Sequence, residues 1–217
     1  MQDDTAKFIA NSILNQLSSG KSVLFFVTGG SGIEVGVKVS KILEKESLEN
    51  LTVTLTDERY GPVGHKDSNW QQLLDKGFDL PGAKLVPVLT GDDTKTTTQK
   101  FNQALNRELT KDSYKIGLFG IGADGHTAGI LPGSGAVNSP DLAYNYQTPQ
   151  FERITITPRA IMELDQAIVY AKGKEKWKTL GELQTDQDIN IQPAQILKTV
   201  PLLTMFTDYK NNQNNLE

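Results

Sequence analysis

An aspartate and a histidine two residues apart in a glycine-rich turn are the most chemically pointed feature of the sequence. They stand in Gly120-Ile121-Gly122-Ala123-Asp124-Gly125-His126-Thr127-Ala128-Gly129-Ile130-Leu131-Pro132-Gly133. An imidazole titrates near neutral pH, and a nearby carboxylate fixes its tautomer and raises its basicity, so His126 is a candidate general base. A second cluster is Thr56-Asp57-Glu58-Arg59-Tyr60, three charges directly after an apolar run. Arg59 offers a planar fork suited to phosphate, and Asp57 can accept a hydroxyl or a proton. On an extended chain Asp57 and Glu58 point to opposite sides, so only one of them is expected to face a cleft. A third is Thr28-Gly29-Gly30-Ser31-Gly32. Its glycines admit a ligand close to the backbone, free N–H groups at a helix start attract anions, and Ser31 is expected to cap that helix and donate to a phosphate. Arg153 and Lys176 complete a set of positive groups for an anionic substrate.

These residues fall at the ends of apolar runs, where an open parallel sheet collects its ligands. Apolar runs alternate with helix-period segments along the chain, which is the pattern of an α/β fold. Strands are expected at 22–28, 51–56, 84–89, 115–121, 153–157, 166–171 and 200–206. Helices are expected at 3–19, 33–46, 68–76, 95–110 and near 174–184. The run Ser22 to Thr28 is apolar without alternation, as a strand buried on both faces requires. A single domain over residues 1–210 is expected, followed by a polar tail at 211–217 whose final Leu216-Glu217 reads as a cloning scar.

Composition removes whole classes of chemistry. With 217 residues the chain is long enough to bury a sizeable core. Zero cysteines exclude disulfides, thiolate nucleophiles and Cys-based metal sites, and the two histidines, His65 and His126, are too far apart for a short metal-binding motif. A cofactor-poor enzyme or binding protein is compatible with this inventory. The balance of 22 Lys+Arg against 26 Asp+Glu gives a net charge of -4, which argues against a general nucleic-acid binder. No apolar run has the length of a membrane span, and Met1-Gln2-Asp3-Asp4 is not the basic start of a signal peptide, so a cytoplasmic protein is expected. Gly120-x-Gly122-x-x-Gly125 matches the dinucleotide fingerprint, but Asp124 would stand where a pyrophosphate must approach. There is no Walker A ending, and Ile33 breaks the serine-hydrolase elbow at Ser31. His65, in a polar loop, reads as a surface histidine.

Taken together, the segments around Thr28, Asp57 and Gly120, with Ser68-Asn69, Pro132-Gly133, Arg153-Ile154-Thr155-Ile156-Thr157 and Gly173-x-x-Lys176, are similar to those of the 6-phosphogluconolactonases, within the larger group of the glucosamine-6-phosphate deaminases/isomerases. The resemblance implies a three-layer α/β/α sandwich with a mainly parallel sheet, no metal and no cofactor. It implies hydrolysis of 6-phospho-D-glucono-1,5-lactone to 6-phospho-D-gluconate, the second step of the oxidative pentose phosphate pathway. His126 would be the base, with Asp124 or Asp57 orienting the imidazole or the sugar hydroxyls. Gly29, Gly30, Ser31, Arg59, Asn69, Arg153 and Lys176 would bind the substrate. The partner is then a small phosphosugar lactone, with no nucleic acid and no membrane, and the protein a monomer or small homo-oligomer.

The chain departs from the family pattern at Gly61-Pro62-Val63 and at Gly32-Ile33-Glu34, both of which touch loop shape rather than the chemistry. The deaminases carry a glutamate five residues after the motif histidine, where this chain has Leu131. A deaminase is therefore disfavoured, as is a non-catalytic sugar-phosphate sensor, which would commonly append a DNA-binding helix-turn-helix.

Overall fold

The computed structural model describes residues 1–210. The expected polar tail, with Leu216 and Glu217, lies outside the described residues.

The elements run α1 (Gln2–Ser18), β1 (Ser22–Val27), α2 (Ile33–Leu43), β2 (Leu51–Leu55), β3 (Asp57–Arg59), α3 (Asn69–Asp75), β4 (Lys84–Leu85), α4 (Thr94–Leu109) and β5 (Ser113–Phe119). There follow β6 (Ala143–Gln147), β7 (Glu152–Ile156), α5 (Pro158–Ile161), β8 (Gln166–Ala171), α6 (Trp177–Glu182) and β9 (Leu202–Thr207). Six strands form a parallel sheet in the order β4-β2-β1-β5-β8-β9. From β1 the chain builds outward through β2 to β4, then crosses back to lay β5 on the other side of β1. The strand order therefore reverses between β1 and β5, and connections leaving in opposite directions open a crevice at their carboxyl ends.

Burial explains the layers. Val23 to Val27 are all buried, with Phe25, Phe26 and Phe119 among the largest side chains fully removed from water. Each such burial contributes about 2–3 kcal/mol. Alternate residues of β1 serve opposite faces. Val27 packs against Gly36 of α2, beside which α1 lies, whereas Leu24 shares a small internal void with Phe101 and Leu105 of α4. Helices thus cover both faces, which is the expected α/β/α arrangement.

Two features differ from expectation. The strand at 153–157 is not in the parallel sheet. As β7 it is the centre of a separate antiparallel sheet, β3-β7-β6. The strand expected at 84–89 is reduced to Lys84–Leu85. Val86 still donates to Val53 O at 2.8 Å, but Pro87 has no N–H to continue the ladder. No helix among the described residues is long and apolar enough to cross a membrane.

Candidate active site

The loop after β5 closes tightly on itself. Gly122 N donates to His126 O at 2.9 Å, Gly125 N to Gly122 O at 3.1 Å, and Thr127 Oγ1 to Gly120 O at 2.9 Å. Inside it, Asp124 Oδ1 accepts the backbone N–H of His126 at 3.1 Å and contacts the ring Nδ1 at 2.6 Å. The hydrogen bond from His126 is the main reason that the Asp124 carboxyl is held down at about 2, against the opposing effect of partial burial. An ionised carboxylate only accepts, so the neutral form of the ring carries its proton on Nδ1 and its lone pair on Nε2. Of the two aspartates left open by the sequence, Asp124 is the one bonded to the ring. Gly122 is required here, because a Cβ at that position would fall 2.1 Å from Nδ1. Ala128, on the wall of the same cleft, takes a left-handed backbone with φ 50, an uncommon conformation for a side chain-bearing residue.

The loop is braced from behind by residues that no motif marks. Thr179 of α6 donates its hydroxyl to Ala123 O at 2.7 Å, Gln192 Nε2 donates to Thr179 O at 2.9 Å, and Ala194 N donates to Gly125 O at 3.0 Å.

After β1, Gly30–Gly32 make a short turn of 3-10 helix leading into α2. Ser31 does not cap that helix as expected. Gly32 holds the N-cap position, and no side chain closes it. Asn69, expected to bind substrate, is fully buried and does not line the cleft. Its Nδ2 donates to Asp57 O at 2.9 Å, and its side chain lies so close behind Gly29 that a Cβ there would fall 2.2 Å from Oδ1. Asn69 therefore joins the end of β1 to β3.

The antiparallel sheet supplies the opposite wall. Along β3, Asp57 and Arg59 face the cleft while Glu58 points away, as alternation requires. Glu58 seals the start of α3, accepting from Asn69 N at 2.6 Å, Trp70 N at 3.1 Å and Ser68 Oγ at 2.9 Å. Burial raises its carboxyl above the ordinary value, and these donors counter that effect. Asp57 Oδ2 pairs with Arg153 Nη1 of β7 at 3.4 Å. Arg59 Nη1 donates to Asp67 O at 3.1 Å, and His65 Nε2 meets the Arg59 carbonyl at 2.9 Å outside the cleft. Phe151, just before β7, lies beside both arginines. Lys176 enters from the turn after β8. That turn is pinned by Asp208, which accepts from Gly173 N at 3.2 Å and from Trp177 Nε1 at 3.1 Å.

The result is one cleft of about 310 Å³ at the β1/β5 crevice. Gly29, Gly30, Ser31 and His126 line it from the parallel sheet's loops, with Lys176, and Asp57, Arg59 and Arg153 line it from the second sheet. A shallower cleft of about 570 Å³ beside α4, bordered by Asn102 and Arg159, holds none of these residues. The site can take a proton at His126 Nε2 and hold an anion at Arg59, Arg153 and Lys176.

The family model for glucosamine-6-phosphate isomerases/6-phosphogluconolactonase matches residues 1–204. The chain is 25% identical over 196 residues to the 6-phosphogluconolactonase of Thermotoga maritima, covering 86% of this chain and 87% of that one. It is 26% identical over 174 residues to the 6-phosphogluconolactonase of Borreliella burgdorferi, covering 74% and 73%. Among solved structures, a 6-phosphogluconolactonase from Shewanella baltica superimposes with a TM-score of 0.79 at 20% identity, over 95% of this chain and 94% of that one.

Proposed function

The chain belongs to the family of glucosamine-6-phosphate isomerases and 6-phosphogluconolactonases, and from that premise we propose that it hydrolyses 6-phospho-D-glucono-1,5-lactone to 6-phospho-D-gluconate. The observation that carries the reading is the imidazole held through Nδ1 by Asp124 at 2.6 Å, in the same cleft as Arg59, Arg153 and Lys176. A lactone with a remote phosphate needs such a pairing of one base with a distant anion site. The relatives named above are lactonases of this kind, which supports the same assignment.

In this mechanism the cations and the Gly29-Gly30-Ser31 turn hold the phosphate, and that binding energy presents C1 to the base. His126 Nε2 takes a proton from water as the water oxygen bonds to the C1 carbonyl carbon. The tetrahedral intermediate then collapses, the bond from C1 to the ring oxygen breaks, and the imidazolium returns its proton to that oxygen. The resulting carboxylic acid ionises to solvent. Asp124 keeps the ring in its productive tautomer throughout, and Asp57, paired with Arg153, is placed to accept a sugar hydroxyl. Each of these residue roles, and a cytoplasmic setting for the reaction, is part of the proposal.

The deaminase reaction calls for a second carboxylate five residues after the histidine. Leu131 stands there with no titratable side chain, its backbone N–H donating to the Tyr146 hydroxyl at 3.3 Å. The deciding experiment is a coupled assay with freshly made 6-phosphogluconolactone beside an assay of ammonia release from glucosamine 6-phosphate. Lactone turnover above the spontaneous rate without ammonia is expected; ammonia release without lactone turnover would reverse the assignment.

A further inference from the structure

Arg59 and Arg153 are direct partners across the β3–β7 ladder, where like charges repel and weaken a sheet. Asp57 balances only one of them, through Arg153. The Nε atoms of both arginines are buried and have no hydrogen-bond partner among the described residues. With one carboxylate for two guanidinium groups, the pair keeps a net positive charge that an anion in the cleft would neutralise.

What the two guanidinium groups share is Phe151. Its ring centroid lies 5.2 Å from Arg59 Cζ and 5.9 Å from Arg153 Cζ. The ring is not on a loose loop. Phe151 N donates to Thr148 Oγ1 at 3.0 Å, and Phe151 O accepts from Thr148 N at 2.8 Å, closing the turn between β6 and β7. An aromatic face attracts cations through its quadrupole and carries no net charge. A carboxylate in its place would hold the arginines equally well but would cancel the charge meant for the ligand.

We propose that Phe151 is a positioning residue for the substrate phosphate, its ring holding Arg59 and Arg153 side by side as a two-cation receptor whose charge stays available to a dianion. The proposal deepens the lactonase reading and rests on it. It makes recognition of the phosphate depend on an aromatic ring that itself has no polar atom to offer.

The test compares wild type, Phe151→Leu and Phe151→Tyr by calorimetric binding of 6-phosphogluconate and of gluconate, and by lactone kinetics. Phe151→Leu is expected to weaken 6-phosphogluconate binding and raise KM by about 10-fold, with kcat within about 2-fold of wild type. Phe151→Tyr, which keeps the ring, should restore both, and gluconate binding should not change among the three proteins. Phe151→Met takes the place of the leucine variant if that protein does not fold. Unchanged 6-phosphogluconate binding in the ring-less variant would overturn the proposal, as would equal damage from Phe151→Tyr or a loss confined to kcat. If the wild type binds 6-phosphogluconate but does not turn over the lactone, the activity assignment fails while the receptor stands. If it binds no 6-phosphogluconate, both fail.

Discussion

Thr179 donates its hydroxyl to the carbonyl of Ala123, 2.7 Å away, and so ties the helix that follows Lys176 to the residue before Asp124. The same threonine's carbonyl is held by Gln192, so the brace is fixed from both sides. The bond connects the segment that follows Lys176 with the loop that holds Asp124 and His126.

Thr179→Val keeps the shape and removes the donor. It should lower kcat by about 10-fold with little change in KM, since a small displacement of a positioned group is costly to the rate. Thr179→Ser should recover most of the loss. A purely structural role would show instead as a fall in melting temperature at unchanged kcat.

His126→Asn cannot take a proton at neutral pH. The variant should fold, still bind 6-phosphogluconate, and lose turnover by roughly 10²–10⁴-fold. Since Asp124 stays ionised down to about 2, the acid limb of wild-type kcat/KM cannot be Asp124 and should disappear with His126. The spontaneous opening of the lactone must be subtracted at each pH.

Asp124→Asn tests the tautomer. An amide can turn its NH2 toward Nδ1, which moves the ring proton to Nε2 and removes the lone pair there. A loss of about 10²–10⁴-fold in kcat with an intact fold is expected. Near-normal turnover in this variant would mean that the carboxylate is not what orients the ring.

Lys176 lines the cleft and has no ion pair among the described residues. Lys176→Ala should raise KM for the phosphorylated lactone by roughly 10–100-fold, for a charge-assisted contact of ~1.5–3 kcal/mol. Hydrolysis of the unphosphorylated lactone should be indifferent to the change. Equal damage to both substrates would place Lys176 in the chemistry.

Acid stability should report Glu108. Burial opposes its ionisation, yet hydrogen bonds from Lys111, Lys84 and Arg107 hold its carboxyl at about 2, below the unfolded value of 4.5. A depressed folded value stabilises the protein above pH 4.5, and that stabilisation is lost as the pH falls toward 2. The three cations are about half exposed, so solvent screening limits the effect to about 1–2 kcal/mol. Glu108→Gln should melt below wild type at neutral pH, and the two melting curves should converge near the acid end.

The parallel sheet was legible because strands buried on both faces write themselves as unbroken apolar runs, and the glycine-rich ends of β1 and β5 follow such runs directly. The second sheet was not. β3 is three charged residues, and β6 is Ala143-Tyr144-Asn145-Tyr146-Gln147, neither of which shows a clear apolar face. Asn69 is expected as a ligand only through the family resemblance of Ser68-Asn69; packing shows that it turns inward behind Gly29. Thr179 and Gln192 act on backbone atoms far away in sequence, and such contacts leave no periodicity to read.

The cleft draws its groups from positions 28 to 176, and its walls depend on the long-range pairings of β1 with β5 and of β3 with β7. β1 must wait for β5, and β3 must wait for β7, before either wall exists. Contacts so distant along the chain form late and slowly in folding. Catalytic competence therefore belongs to the final stage of the chain's maturation: a nascent or truncated chain that ends before Lys176 carries the histidine and both arginines, yet lacks the third cation and the helix that braces the loop.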